Sequence, residues 1–357
     1  MNDVQIEQLR VPETLDGDGA ADFLRAVDVS RQVRLNTWGN DDLAYTGAEM
    51  LALCHDPYEW YVMLVARLGG EIVGRAGVAM PLDDDTELAH VTLDVLPSAQ
   101  GHGIGRKLLE AAETFVQGEN RHIVVVETNH SAADAAAGGE DAVPAANGAG
   151  SLPLSSREAR FAFSAGYQLE QVEQFSSCAL PLNPVRAQEL SDGAKAAQAG
   201  KYDVHGWTDH CPDRWAADVV RLERGQDPEG GDTWDVARLR ESEELSLQTG
   251  RHTLVSAAEC VATGSLVGFT SISVLGYRED VVFQDDTVLA EEHRGQELGL
   301  RIKVANMERL AREFPQSRTV YTWNAADNAY MLAVNAKLGF AAAGVTGQWQ
   351  KDFAAAL

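Results

Sequence analysis

The sequence predicts an α/β chain of two tandem copies of one domain, each a mixed, mostly antiparallel twisted sheet with helices on both faces. Three observations predict it. A set of landmarks recurs at one fixed offset, each half carries a hairpin signature ahead of a long helical segment, and 357 residues suit two domains of ordinary size.

The composition allows both cores. Hydrophobic residues make up 45% and charged residues 23%, close to the averages for globular chains. No window approaches eighteen consecutive apolar residues, so no membrane-spanning segment is expected. The first residues, MNDVQIEQLR, are polar and acidic without an apolar h-region. A secretory signal is therefore not expected, and the predicted location is cytoplasmic. Cys54, Cys178, Cys211 and Cys260 lie far apart with no CxxC, and no HExxH occurs. That pattern predicts neither a disulfide framework nor a metal site. A net charge of −25 repels nucleic acid and anionic membrane and favours cationic substrates such as amines.

The elements follow in order. VQIEQLR from Val4 reads as the first strand, and Asp22 to Leu53 as a helical region. Residues 61–80, YVMLVARLGGEIVGRAGVAM, read as a hairpin around a Gly-Gly turn. The strand ELAHVTLDVLP, Glu87 to Pro97, runs into the polar turn at Gln100 and then an amphipathic helix. The strand HIVVVETN ends at Asn129, and a further helix reaches the junction Ser164-Ala165-Gly166-Tyr167.

The second half repeats this plan from KYDVHGW at Lys201, through a helical Pro212–Thr249 region and the hairpin of residues 253–275. Gly74 and Gly268 lie 194 residues apart, as do Gly105 and Gly299, while Asn129 and Asn324 lie 195 apart. Such agreement signals duplication. The offset then falls to 173 between Gly166 and Gly339, so the first copy holds about twenty extra residues. They are residues 131–150, SAADAAAGGEDAVPAANGAG, Ala/Gly-rich and expected to be a mobile loop. The expected domains are 1–180 and 201–357, with a linker over 181–200 (PLNPVRAQELSDGAKAAQAG).

The junction of each fourth strand with the next helix carries the chemistry. In the first copy it is Gln100-Gly101-His102-Gly103-Ile104-Gly105-Arg106, and in the second Arg294-Gly295-Gln296-Glu297-Leu298-Gly299-Leu300. Helix N-termini expose unpaired N–H groups and partial positive charge, and glycines let the backbone approach a ligand. Together they form a cradle for a pyrophosphate. The third glycine and distant acid of a dinucleotide fingerprint are missing, as is the GK[ST] of a P-loop.

The order strand, [QR]-x-x-G-x-[GA], helix resembles motif A of the GNAT acyltransferase superfamily. Gln100, Gly103 and Gly105 fill its three positions in the first copy. Arg294 and Gly299 fill the outer two in the second, with Glu297 in place of the middle glycine. The segment Asn324-Ala-Ala-Asp-Asn328, with Met331, Asn335 and Leu338-Gly339-Phe340, is similar to the family's last strand and helix. The resemblance covers nearly the whole chain and is nearest to the two-domain actinobacterial members, the group that includes mycothiol synthase. It implies tandem GNAT-like domains, acetyl-CoA as the acyl-donor substrate, no metal, and N-acetylation of a small-molecule primary amine by direct transfer in a ternary complex. It also implies a monomer or homodimer with no nucleic-acid or membrane partner.

The resemblance assigns CoA contacts to both turns, to the strand ends Val95, Val288 and Leu289, and to Asn324 and Asn328. Candidate bases sit on the fourth strands: Asp285 and Asp286 in the second copy, Glu87, His90 and Asp94 in the first. Neighbours in a regular strand face opposite ways, so only one of Asp285 and Asp286 meets the substrate unless a bulge intervenes. Many members place a proton-donating tyrosine five residues before the final aromatic. Ala162 and Asn335 stand there, and Asn335 joins Asp285 and Asp286 as a candidate catalytic group. Two-domain relatives usually work through the C-terminal copy, which places catalysis there.

Overall fold

The computed structural model describes residues 4–83, 85–136, 141–197, 200–225 and 234–354. The chain forms two compact units. The first comprises Met1–Gln174, Ala325–Asp327 and Ala343–Leu357, and the second Phe175–Asn324 and Asn328–Ala342.

In chain order the first unit has β1 (Val4–Leu9), α1 (Ala20–Trp38), α2 (Gly47–Cys54), the hairpin β2 (Glu59–Leu68) and β3 (Glu71–Pro81), and β4 (Leu88–Val95). Then come α3 (Ile104–Gly118), β5 (Ile123–Ser131), α4 (Ala132–Ala136), the short strands β6 (Ala142–Pro144) and β7 (Ser151–Pro153), α5 (Arg157–Ser164) and the start of β8 (Gln168–Ala179). Alternation of buried and open positions along β4 fits a strand with one face packed on the core and the other more open. The apolar stripe of α3 (Ile104, Leu108, Leu109, Ala112, Val116) is buried against it. Phe23, Ala26 and Val29 of α1 are wholly buried.

The second unit has the end of β8, α6 (Pro184–Ala197), β9 (Tyr202–Thr208), α7 (Asp213–Arg224), α8 (Val236–Gln248), the hairpin β10 (Arg251–Cys260) and β11 (Ser265–Leu275), and β12 (Arg278–Leu289). It closes with α9 (Leu298–Glu313), β13 (Thr319–Ala325) and α10 (Ala329–Leu338). Residues 181–200, expected as a linker, contribute the helix α6.

The final strand, β14 (Ala341–Asp352), runs antiparallel to β5, with Gly344 opposite Ser131 and Asp352 opposite Ile123. Its Trp349 is fully buried among the first unit's core residues. Strand order is thus β1-β2-β3-β4-β5-β14 in the first unit and β13-β12-β11-β10-β9 in the second. The last strand in sequence completes the first unit, where the linear division at 180 and 201 would assign it to the second.

The two copies share fine detail. In β3 and β11 an extra residue, Val73 or Val267, bulges beside Gly74 or Gly268. The bulged carbonyl accepts from Leu96 N or Ala290 N, both at 2.9 Å. A Cβ on Gly268 would lie 2.7 Å from Val288 O, which explains glycine at this landmark.

The inserted segment corrects an expectation. Residues 137–140 lie outside the described residues, but the rest of 131–150 has defined structure. Strands β6 and β7 pair, Ala145 N donates to Gly150 O, and Ala146 N reaches Leu169 O of β8 at 2.8 Å. Ala145 is buried, so the segment acquires from the main sheet the partners its own composition lacks.

Candidate functional site

Strands β4 and β5 run parallel and pair only from Leu88–Val91 to Ile123–Val126. Past Val91 and Val126 they diverge, and a cleft of about 420 Å³ opens in the gap, a size suited to a small-molecule site. Val33, Arg34 and Thr37 of α1 wall one face, and Phe161 and Ala162 of α5 with the start of α3 wall the other.

The turn predicted to cradle pyrophosphate borders this cleft. Gly101 and Gly103 have φ of +78° and +77°, the left-handed region that glycine enters freely. The first helical bond runs from Lys107 N to Gly103 O, so the preceding amides have no partner within α3. Gln100 is fixed at both ends: Nε2 donates to Val95 O at 2.8 Å, and Oε1 accepts from Arg157. His102 Nδ1 lies 2.8 Å from Gln100 O. Arg157, with Arg106, adds positive charge beside a helix end whose unpartnered N–H groups already favour an anion.

Three first-copy acids separate here. Asp94 is buried between Arg34 Nη1 and Arg75 Nε, each 3.0 Å away. Burial pushes its carboxyl up, yet the two guanidiniums prevail and hold it below the usual range, so it serves as a structural anion. Glu87 pairs with His122 at 3.1 Å on the surface, and His90 is exposed on β4. Glu127 on β5 lines the cleft instead. Enclosure by protein raises its carboxyl; Arg34 opposes this and Glu173 adds to it. Glu127 is solvent-accessible yet surrounded, as fits a group at the floor of an open cleft.

Thr128, on the opposite face of β5, also lines the cleft. His130 Nε2 lies 2.8 Å from Thr128 Oγ1, and His130 Nδ1 lies 3.0 Å from Ser156 Oγ. Trp349 Nε1 donates to Thr128 Oγ1 at 2.8 Å. Glu127, Thr128, His130 and Arg157 were outside the sequence-based candidates. The signal was present as the polar run ETNH that ends an otherwise apolar strand.

In the second unit β12 and β13 likewise pair only from Val281–Phe283 to Thr319–Tyr321. Thr270 and Ile272 of β11 face Thr287 and Gln284, so Asp285 and Asp286 together oppose Ser271. That is the bulge that would let both acids turn to one side. Ser273 donates to Asp285, whose carboxyl burial pushes up to about 6. Asp286 is also raised by burial, and Glu223 of α7 reaches about 7 for the same reason. Both aspartates reach solvent while protein encloses most of their surroundings.

The second turn keeps the backbone of the first. Gly295 has φ of +76°, and Glu297 takes φ of +57° where Gly103 stands in the first copy. The Glu297 carboxylate pairs with Lys337 Nζ at 2.8 Å, while Arg294 Nε donates to Leu289 O at 3.3 Å, as Gln100 does to Val95. Tyr202 donates to Gln296 Oε1 at 3.4 Å. Val288, Leu289, Leu298 and Leu300 are buried, and a Cβ added to Gly299 would lie 3.5 Å from the Leu289 side chain. Asn328 caps α10 by accepting from Met331 N.

Asn335 is buried, and both of its ends are engaged. Its Oδ1 accepts from Lys303 Nζ at 2.9 Å, and its Nδ2 donates to Asn324 Oδ1 at 2.6 Å. The ammonium form of lysine only donates, which sets this order and makes Asn324 Oδ1 the acceptor from Asn335. The place of Asn335 is thus to hold Asn324. Burial lowers Lys303 to about 7. Among the described residues no group of His, Cys, Asp or Glu could hold a metal ion, and no helix is long and apolar enough to cross a membrane.

Residues 30–137, which contain this cleft's α1, β4, α3 and β5 walls, match the sequence model of the acetyltransferase (GNAT) family. They form a GNAT acetyltransferase domain. The fold of the whole chain is that of tandem GNAT-like domains. It is similar to a tandem GNAT protein from the clavulanic acid biosynthesis pathway, with 25% identity, 98% of each chain covered and a TM-score of 0.76. A GCN5-related N-acetyltransferase from Sphaerobacter thermophilus shares the fold at 15% identity, covering 98% of this chain and 96% of its own, with a TM-score of 0.64. So does the GCN5-related glucosamine N-acetyltransferase region of a fungal multi-domain GH3 β-N-acetylglucosaminidase, at 15% identity and a TM-score of 0.63, covering 98% of this chain and 38% of that one. No curated protein matches the chain. GNAT membership of residues 30–137 points to acyltransferase activity.

Proposed function

We propose that the chain transfers an acetyl group from acetyl-CoA to the primary amine of a small molecule, by direct attack within a ternary complex in the first unit's cleft. The observation that carries this reading is the cleft itself. A complete glycine turn and Arg157 border its α3–α5 side, and a raised carboxyl, Glu127, stands on its α1 side.

The CoA pyrophosphate rests on Gln100 to Arg106, with Val95 at the strand end. The thioester reaches the gap between β4 and β5, and the amine enters beside α1. Glu127 takes the proton the amine must lose to become a nucleophile, and its raised carboxyl is a better acceptor than an ordinary one. Holding both reactants in one gap contributes much of the rate. The test is turnover of Glu127→Gln with acetyl-CoA and an amine panel that includes a cysteinyl amine. A loss of at least about 10²-fold is expected, together with disappearance of the acidic limb of the pH–rate profile. Acetyl-CoA binding without thioester consumption by the parent chain would replace this reading with that of a CoA-binding sensor.

A second reading is favoured by the raised Asp285 and Glu223. Catalysis would then lie in the second unit, with Asp285 or Asp286 as base, CoA held by Val288, Leu289, Arg294 to Leu300, Asn324 and Asn328, and Asn335 positioning Asn324. Loss of turnover in Asp285→Asn or Asp286→Asn, with Glu127→Gln fully active, selects it.

A further inference from the structure

We infer that Thr128, backed by His130 and Ser156, returns a proton to the departing CoA sulfur. The inference rests on the first unit being the site of transfer. Ala162 there offers no hydroxyl to do this.

The hydrogen bonds constrain where the Thr128 proton points. A hydroxyl has one proton and two lone pairs, and an indole N–H only donates. Trp349 Nε1 therefore fills one lone pair of Thr128 Oγ1. When His130 carries its proton on Nε2, it fills the other across 2.8 Å. The hydroxyl proton is then turned from both of these partners, on a residue that lines the cleft. His130 Nδ1 in this state accepts from Ser156 Oγ across 3.0 Å. His130 is 1% exposed and burial lowers its basicity, so a neutral imidazole with two unlike nitrogens is the state at hand.

The same contacts serve the state after transfer. The thioester C–S bond breaks and sulfur keeps the electron pair. Sulfur takes the Thr128 proton, Thr128 Oγ1 takes the Nε2 proton, His130 Nδ1 takes the Ser156 proton, and Ser156 takes one from solvent. One proton enters and one leaves, balancing the amine proton that Glu127 passes to solvent. Thr128 now donates to Nε2, Nδ1–H donates to Ser156, and Ser156 donates to Glu158 Oε2 at 3.3 Å. Each link is thus satisfied in both directions. The chain also opens on the α5 face of β5, whereas Glu127 sits on the α1 face, so proton removal and proton return stay on separate sides of the strand.

The test combines turnover with titration of the bound CoA thiol, followed by thiolate absorbance in the full chain. Thr128→Val and His130→Gln are expected to lower acetyl-CoA turnover by on the order of 10²-fold, and Thr128→Ser to retain it. A donor aimed at sulfur stabilises the thiolate, so bound CoA should titrate about one pH unit lower in the parent and in Thr128→Ser than in Thr128→Val. Equal thiol titration in parent and Thr128→Val overturns this inference and leaves the proposed function standing. Absence of CoA binding that depends on the Gln100–Arg106 turn overturns both.

Discussion

A charge that protein encloses is harder to form, and the sign of its effect on stability depends on which form is charged. Asp285 ordinarily titrates at 3.8 and here at about 6. Between those values the folded chain holds a proton that the unfolded chain has released, so this group's contribution to stability is present at low pH and lost as the pH rises through 6. Asp285→Asn is expected to raise Tm over the parent at pH 7.5 and to give no such gain at pH 4, as thermal denaturation at the two pH values will tell. Lys303 works in the opposite direction. Its value falls from 10.5 to about 7, so across that window the unfolded chain binds a proton the folded chain does not, and stability rises with pH. The Tm advantage of Lys303→Met over the parent should therefore be larger at pH 6.5 than at pH 9.5. Neither shift was legible beforehand. The residue types mark Asp285 as an acid near a gap, but enclosure is a property of packing, and Lys303 reads on α9 as one more charge in an amphipathic helix.

At the scale of the element, the strand–turn–helix unit behaves as a backbone shape that tolerates one change of residue. Gly103 and Glu297 share the left-handed conformation, which costs a non-glycine residue roughly 1–2 kcal/mol. The exposed pair between Glu297 and Lys337 offsets little of that, because solvent screens it. Glu297→Gly is accordingly expected to leave stability the same or slightly higher in denaturant unfolding. Gly103→Glu should instead weaken acetyl-CoA binding at the first turn, measured by calorimetry, because it sets a carboxylate beside the pyrophosphate without a lysine: the residue at the place of Lys337 is Ser164. The turn itself was legible because glycines and a helix start leave a fixed spacing in the sequence. The proposed base was not, since Glu127 lies on β5 rather than β4. The bulge at Asp285 and Asp286 was legible only as a condition, because a two-against-one register depends on the facing strand.

At the scale of the whole chain, the duplication was legible from its constant 194-residue offset, and the structure repeats it down to the bulges at Val73 and Val267. The destination of the last strand was not, because β14 has the same alternation whichever β-edge receives it. A chain ended at residue 342 should lose protection from hydrogen exchange across β5, even though every residue up to 180 is intact. An unchanged β5 would contradict the pairing of Gly344–Asp352 with Ser131–Ile123. The same pairing sets a timetable for synthesis. The first unit lacks its closing strand until residues 343–352 have left the ribosome, and Ala343 lies 169 positions after Gln174. At elongation rates of about 5–20 residues per second, the half-built sheet waits on the order of 10–30 s with the edge of β5 open. Nascent chains are therefore most exposed to mispairing and to chaperone capture while residues 175–342 are being made, and a stop codon just ahead of residue 343 would damage the unit whose other strands were made first.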